Sequence, residues 1–201
     1  MIDLIKEYIE RQKIVLPTGL PTIVYVENVL PDWTPIDGIV GDWDDQRCLI
    51  DFDAKTPTME GQWAATVQYG REAMLTKSNG AAKIALGWHP RKWRMGFHKQ
   101  NKSHPALVQV AGLSITRDVD RNGKPEGDPS FYGIFGLNQH TTGVNPPTQI
   151  GPWSYGCLVG QVRQGHFDYL GILRRSPAFK KDPNMLFSTL IINPKKLPWI
   201  Q

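Results

Sequence analysis

The sequence predicts a mainly β protein, a β-rich α+β fold whose core is a β-sandwich or barrel with few short helices. Glycine and proline are plentiful and scattered, with 19 Gly and 16 Pro, which favours many short strands and turns over a helical bundle. The composition, with 40% apolar and 21% charged residues, is that of a folded globule rather than a disordered chain. A length of 201 residues fits a single domain spanning residues 1–201.

The first predicted elements are a helix and three strands. Residues 2–13 form an amphipathic pattern in which Ile2, Ile5 and Ile9 share one stripe, so a short helix is predicted there. A stretch with prolines and a glycine then breaks the chain. Strands are predicted at residues 23–29, 47–52 and 62–68.

Strands also dominate the rest of the chain. Residues 70–86 are ambiguous and helical at most in part, and residues 88–105 mix tryptophans and histidines with basic side chains. A polar turn is expected at 118–128, and a helix is predicted over 165–175 because apolar residues recur there at three-residue steps. Further strands are predicted at residues 106–116, 131–137, 157–162 and 185–192.

The chain is mildly basic, with a net charge of +4 and a pI near 9.1. Such a charge favours polyanions, but the lysines and arginines are spread out and form no block that resembles a nucleic-acid-binding arm. An anionic cell wall is therefore the preferred partner, and nucleic acid is not expected. Residues 1–7 lack the basic and apolar regions of a signal peptide, and no segment reaches the length of a membrane span. We therefore expect synthesis in the cytoplasm and no membrane span.

The two cysteines have different sequence surroundings. Two are too few for a disulfide framework, and neither belongs to a CxxC pair. Cys48 alternates with Ile50 and Phe52, which predicts a buried side chain on a strand. Cys157 follows a glycine at the start of an apolar run. A Cys48–Cys157 bridge stays open as an alternative, and it would remove Cys157 as a nucleophile.

The segment from Ser154 to Cys157, which follows His140, is the strongest functional signal. Cys157 lies 17 positions after His140. A cysteine nucleophile needs a base within hydrogen-bond reach and free N–H groups that hold an oxyanion. His140 would take the thiol proton, and the resulting ion pair would lower the pKa of Cys157. The N–H of Gly156 or Cys157 would face the oxyanion, and Asn138 or a backbone carbonyl would orient the imidazole. A buried strand cysteine and an unrelated loop histidine are the alternative.

These segments resemble the L,D-transpeptidase catalytic domain family. That family has a histidine at the end of a strand after a glycine-rich segment, then a loop and a Ser/Thr-His-Gly-Cys motif. Residues 132–140 look like the first part and residues 154–158 look like the second. The resemblance covers residues 106–192. Two departures affect the implied substrate contacts, because Tyr155 replaces the second histidine and Val159 stands where Arg or Asn is usual.

A looser resemblance extends over more of the chain. Phage and cyanobacterial wall-associated proteins carry similar strings, and they look like this chain at four places. These are residues 96–98, 106–109, 117–118 and 153–154. Together the resemblances imply an L,D-transpeptidase-like catalytic core at 106–192, with residues 1–105 as an N-terminal half packed against it.

The resemblance implies cysteine chemistry on the stem peptides of bacterial peptidoglycan. Cys157 would attack a peptide carbonyl, and His140 would act as base and then as acid, with Ser154 and Gly156 in the catalytic turn. Without a signal peptide, a lytic peptidase resembling an endolysin fits better than a resident cross-linking enzyme. It would reach the wall after release or delivery, for example by a phage or a phage-tail-like particle. The residues expected to contact the substrate are Asn138, Trp153, Tyr155 and His98.

A calcium-binding turn is a further interpretation, and no other cofactor is expected. Asp118, Asp120 and Asn122 match the first half of an EF-hand loop. The bidentate glutamate expected at the twelfth position is absent, because Pro129 stands there. A hairpin turn that uses Asn122 and Gly123 is the alternative.

Two other functions stay open. The first is a non-catalytic module that binds cell wall or forms part of a phage-tail-like particle and keeps the fold without the reaction. The second is a zinc-dependent wall hydrolase, with zinc held by His98, His140 and Asp118, although the histidines lack the HxH or HExxH spacing of zinc sites.

Overall fold

The structure, a computed structural model, describes residues 1–124, 126–197 and 199. It confirms the predicted mainly β class, with a closed barrel and few short helices. The strands are β1 (Thr22–Val26), β2 (Asp45–Asp51), β3 (Thr58–Thr66), β4 (Ala81–Ile84), β5 (Gly87–Phe97), β6 (Pro105–Gln109), β7 (Leu113–Asp118), β8 (Ser130–Gly133), β9 (Gln139–Thr141), β10 (Leu158–Gly160) and β11 (Phe187–Ile192). The helices are α1 (Ile2–Arg11), α2 (Arg71–Thr76), α3 (Arg163–Arg175) and α4 (Pro177–Lys181), and short 3-10 turns cover His98–Gln100, Gly151–Trp153 and Pro194–Lys196.

Eight strands close the barrel in the order β1-β11-β5-β6-β9-β10-β3-β2. The β1–β11 and β9–β10 pairs are parallel, and the other neighbours are antiparallel. Strands β4, β7 and β8 form a separate three-stranded sheet. Four barrel strands, β1, β2, β3 and β5, come from residues 1–105. The expected division into a core at 106–192 and an N-terminal half packed against it is therefore corrected, because both parts build one barrel.

Strand β2 is buried on both faces. Cys48 and Ile50 pack on one side with Ile5 and Ile9 of α1, as the alternating pattern and the amphipathic helix predict. Leu49 points to the other cluster, which also receives apolar residues from α3. Cys48 and Cys157 are both free, so the disulfide alternative is not formed. No helix in the described part of the chain has the length and apolar character needed to cross a bilayer.

Near the site, two predicted elements needed correction and one stretch without a predicted element contains regular structure. Residues 88–105, which had no assigned element, contain β5 and the 3-10 turn that carries His98. The predicted strand 106–116 is two strands, β6 and β7, in different sheets. The predicted strand 131–137 ends at Gly133, because the Gln109 Oε1 atom accepts the Phe135 and Leu137 N–H groups, at 3.0 and 2.9 Å, in place of a neighbouring strand.

Candidate active site

The parallel pair of β9 and β10 brings the two main candidate residues together. Residue His140 lies in β9 opposite Val159 of β10, and Cys157 directly precedes β10. His98 joins them from the 3-10 turn after β5. One ring nitrogen from each histidine and the Cys157 Sγ atom lie within 4.8 Å of one another. Parallel pairing of two short strands thus assembles residues that are far apart in the chain.

The turn before Cys157 is shaped by a serine and a glycine. Gly156 has a φ of 121°, and a Cβ atom there would approach the Ala82 carbonyl oxygen of β4 to 2.6 Å, so only glycine fits. The Ser154 hydroxyl accepts the Gly156 N–H at 3.2 Å and donates to the Cys157 carbonyl at 2.8 Å. Both residues, predicted to be catalytic, therefore hold the turn. The Gly156 N–H, expected to face an oxyanion, already has a partner, whereas the Cys157 N–H has none among the described residues.

A backbone carbonyl fixes the proton of His140. The Thr141 carbonyl oxygen accepts from His140 Nδ1 at 3.0 Å and from His104 Nε2 at 2.8 Å. A carbonyl only accepts, so the neutral His140 ring is assigned its proton on Nδ1 and a lone pair on Nε2. The Nε2 atom is buried and has no partner among the described residues. The Cys157 thiol donates to the Gly136 carbonyl at 3.8 Å, so the Nε2 lone pair stays free to take a proton, as a general base requires.

His98 has the opposite tautomer. The Gln109 N–H donates to Asn138 Oδ1 at 2.9 Å, which fixes the orientation of the Asn138 amide. The Asn138 Nδ2 group then donates to His98 Nδ1 at 3.1 Å, so the His98 proton is on Nε2. The His98 ring stacks on His140 with 3.9 Å between ring centroids and 23° between planes. The sequence left two groups that could orient His140, Asn138 or a backbone carbonyl. The Thr141 carbonyl orients His140, and Asn138 orients His98.

Burial keeps the candidate residues neutral. It raises the pKa of the Cys157 thiol to about 11, although the Asn138 N–H and the Lys99 charge oppose the rise. Burial also lowers the pKa of His140 to about 3 and that of His98 to about 4, and nearby positive groups add to both shifts. The expected lowering of the Cys157 pKa by an ion pair is therefore corrected. At neutral pH the site therefore holds a neutral thiol and a neutral imidazole.

A cavity of about 720 Å³ opens beside these residues. Its size is typical of sites that hold small organic ligands. The Tyr155 hydroxyl donates to Glu72 Oε1 at 3.2 Å, and the Lys77 ammonium lies 4.8 Å from the centre of the Tyr155 ring. The four residues expected to contact substrate all line this cavity: Asn138, Trp153, Tyr155 and His98. By contrast, Val159 is fully buried in β10 and does not line it.

The predicted calcium turn connects β7 to β8 and is held by its own hydrogen bonds. Asp118 accepts the N–H groups of Asn122 and Gly123 and the Tyr69 hydroxyl. The Asn122 Oδ1 atom accepts the Lys124 N–H. Carboxylate oxygens of Asp118, Asp120 and Asp128 lie within 4.8 Å of one another, and the Asn122 Nδ2 group donates to Asp120 Oδ2 at 2.7 Å. The alternative of a hairpin is present, because β7 and β8 pair antiparallel and Asn122 and Gly123 lie in the long connection between them.

The zinc interpretation also changes. Asp118 is separate from the histidines, and the group that could hold a metal consists of His98, His140 and Cys157. This donor set suits Zn²⁺ in type. The Asn138 amide opposes it, however, because it occupies His98 Nδ1 and leaves a proton on Nε2. A metal ligand needs a free lone pair on the nitrogen that faces the ion.

Three residues hold other residues of the site in place, and the sequence did not predict this: His104, Gln109 and Thr141. The carbonyl of Thr141 holds two histidines, and Gln109 holds both the 135–137 segment and Asn138. For Gln109 a signal existed, since alternation with Leu107 in β6 places a polar side chain at a buried position. The role of Thr141 could not be predicted, because its backbone carbonyl makes the contacts and the pattern of side chains carries no information about it.

The chain matches no protein-family model, no curated protein and no solved structure. The resemblance to L,D-transpeptidase catalytic domains therefore stays a prediction from the sequence.

Proposed function

We propose that the protein is a cysteine enzyme that transfers acyl groups, with Cys157 as nucleophile and His140 as general base. One observation carries the proposal. The buried His140 Nε2 atom has no partner among the described residues, and a His140 ring nitrogen lies within 4.8 Å of the Cys157 Sγ atom at a cavity. An unpaired buried nitrogen costs about 1–3 kcal/mol, which a purely structural histidine would avoid by finding a donor.

The reaction follows from the two tautomers. The Sγ atom attacks a peptide carbonyl carbon while His140 Nε2 takes the thiol proton, which forms a tetrahedral oxyanion and an imidazolium. The Cys157 N–H and the His98 Nε2–H are the donors available to the oxyanion. Collapse of the tetrahedral intermediate breaks the C–N bond of the peptide, and His140 gives its proton to the leaving amine. Water or another amine then attacks the thioester with His140 again as base, and the thiol is regenerated.

Peptidoglycan stem peptides are the proposed substrate, and a lytic peptidase is the proposed role. The motif from Ser154 to Cys157 supports this through its resemblance to L,D-transpeptidases, and the net charge of +4 suits an anionic wall. Delivery to the wall, by a phage or a phage-tail-like particle, is part of the same proposal. A zinc-dependent hydrolase that uses His98, His140 and Cys157 is the second candidate, because these three donor atoms lie within 4.8 Å, and it would require the Asn138 amide to release His98 Nδ1.

Digestion of purified peptidoglycan sacculi under reducing conditions tests the proposal, with products identified by mass spectrometry. Wild type and the matched control Cys48→Ala should release the same new muropeptides, and Cys157→Ala should release none. Chelator should leave this digestion unchanged. Products that persist in Cys157→Ala would refute the nucleophile, and loss of activity with chelator that is restored by Zn²⁺ would favour the metal hydrolase. Binding to sacculi without any products would favour the non-catalytic module.

A further inference from the structure

The cavity beside Cys157 carries an unbalanced positive charge. Three cationic side chains line it, from Lys77, Lys99 and Arg117, and no aspartate or glutamate is among its described lining residues. None of the three forms an ion pair with a carboxylate in the described part of the chain. The buried Lys83, by contrast, pairs with Glu27 at 2.9 Å. What distinguishes the cavity is that three cations converge on one cleft with no acidic residue among its described lining residues.

Neutral groups position two of these cations at the cavity. The Lys77 ammonium lies 4.8 Å from the centre of the Tyr155 ring. The Arg117 guanidinium lies 5.6 Å from the centre of the Phe135 ring and donates to the Gly80 carbonyl at 3.1 Å. These contacts fix the positions of the charges without neutralising them. A bound anion would therefore meet cations that are already placed and that lose no carboxylate partner on binding.

The third cation is next to the reactive groups. Lys99 directly follows His98 and has a φ of 49°, a left-handed backbone conformation that is uncommon for residues other than glycine. Its positive charge opposes the burial that raises the pKa of Cys157, and it disfavours protonation of His140. The positive field thus extends from the outer cations to the thiol. A field of this kind attracts anionic ligands into a cleft and raises their local concentration.

We propose that this cavity binds a carboxylate of the substrate, so that the acyl donor is an anionic peptide held by Lys77, Lys99 and Arg117. This inference rests on the proposed function, because it places the reacting carbonyl of the same peptide at Cys157. A peptide carboxylate is favoured over a phosphate polymer, since only the peptide brings both the anion and the carbonyl that a thiol attacks.

Binding can be measured without turnover in the Cys157→Ala variant. The probes are a synthetic stem tetrapeptide with two free carboxylates and the same peptide with both carboxylates amidated, compared by titration calorimetry at low salt. We expect the carboxylate form to bind at least about tenfold more tightly, with a preference that weakens as salt is added. In this variant background, Lys77→Gln and Lys99→Gln should each reduce the preference several-fold. The matched control Lys55→Gln, an exposed lysine outside the cavity, should not.

The outcomes separate this proposal from the proposed function. Equal affinity for the two peptides, or a preference that survives both lysine substitutions, would overturn the carboxylate site. Inorganic phosphate that displaces the peptide at comparable concentration would show a general anion site and would also overturn it. A clear carboxylate preference in a protein that digests no sacculi would support the binding site and refute the enzyme. Equal digestion of stem peptides with free carboxylates and with amidated carboxylates would support the proposed enzymatic activity and refute the carboxylate site. Melting temperatures of all variants would show that each is folded.

Discussion

The two cysteines of this protein are both buried and free, yet their surroundings differ completely. Cys48 is 0% exposed in β2, among apolar side chains that include Val24 and Ile50, and burial raises its pKa to about 12. Cys157 is 8% exposed, and its pKa is raised to about 11. What sets Cys157 apart is a cavity and a neutral His140 with an unpaired nitrogen. Burial alone makes a thiol inert, and the groups beside the sulfur decide whether it can react.

Removing the base should make Cys157 behave like Cys48. In His140→Gln, we expect the rate of peptide cleavage to fall by about 10²–10⁴-fold, because no group remains to take the thiol proton. The rate is measured on a fluorogenic stem peptide or on sacculi. His89→Gln is the matched control, because His89 is also buried but its Nε2 atom bonds the Ala85 carbonyl away from the cavity. Similar losses in both variants would refute the assigned base.

Alkylation should distinguish the two thiols directly. Iodoacetamide should modify Cys157 through the cavity and leave Cys48 unmodified until the protein unfolds. Since the pKa of Cys157 is about 11, the rate of its alkylation should rise about tenfold per pH unit between pH 7 and 10. At pH 8 this rate should be about 100-fold below that of an ordinary thiol. Peptide mapping by mass spectrometry measures both rates. A fast rate near pH 6 that changes little with pH would instead indicate a preformed thiolate–imidazolium pair and contradict the neutral site.

Acid should destabilise the protein through the histidines near Cys157. The pKa of His140 is about 3 and that of His98 about 4, both below the unfolded value of 6.5. The unfolded chain therefore binds more protons below pH 6.5, and the stability that these neutral rings contribute is lost as pH falls from 6.5 toward 3. Each pKa unit corresponds to about 1.4 kcal/mol. Urea unfolding at several pH values should show a shallower decline in His98→Gln, and an unchanged decline in Cys48→Ala.

The smallest expected effect concerns packing. Cys48→Ala should lower the free energy of unfolding by about 1 kcal/mol, because it leaves a gap in a fully packed cluster. Cys157→Ala should change it less, since the sulfur lines an existing cavity. Urea titration of both variants measures the difference. A larger loss for Cys157→Ala would mean that this sulfur is a packing element like Cys48.

The sequence predicted the parts of the fold that local patterns determine. The amphipathic stripe of α1 and the alternation around Cys48 were correct, because each pattern is decided by residues close in the chain. The predicted strand 131–137 was wrong, because Gln109, far away in sequence, takes the N–H groups that a strand neighbour would take. The barrel order was not predictable either, since it depends on long-range pairing of both halves.

The sequence predicted that His140 and Cys157 lie close together, but it did not predict their protonation states. His140 and Cys157 meet as the motif suggested, because β9 and β10 pair in parallel. The direction of the Cys157 pKa shift was wrong, because sequence spacing does not show how deeply a thiol is buried. The tautomers were also beyond the sequence, since they depend on one carbonyl, of Thr141, and one amide, of Asn138.

Trapping the acyl-enzyme would test most directly whether Cys157 is the nucleophile. Wild-type protein is mixed with a stem peptide, quenched in acid within seconds and analysed by mass spectrometry of its proteolytic fragments. We expect an acyl group on the fragment that contains Cys157, none on the Cys48 fragment, and no adduct in Cys157→Ala. Cleaved peptide without any adduct on Cys157, together with full activity of Cys157→Ala, would contradict the claim that this cysteine is the nucleophile.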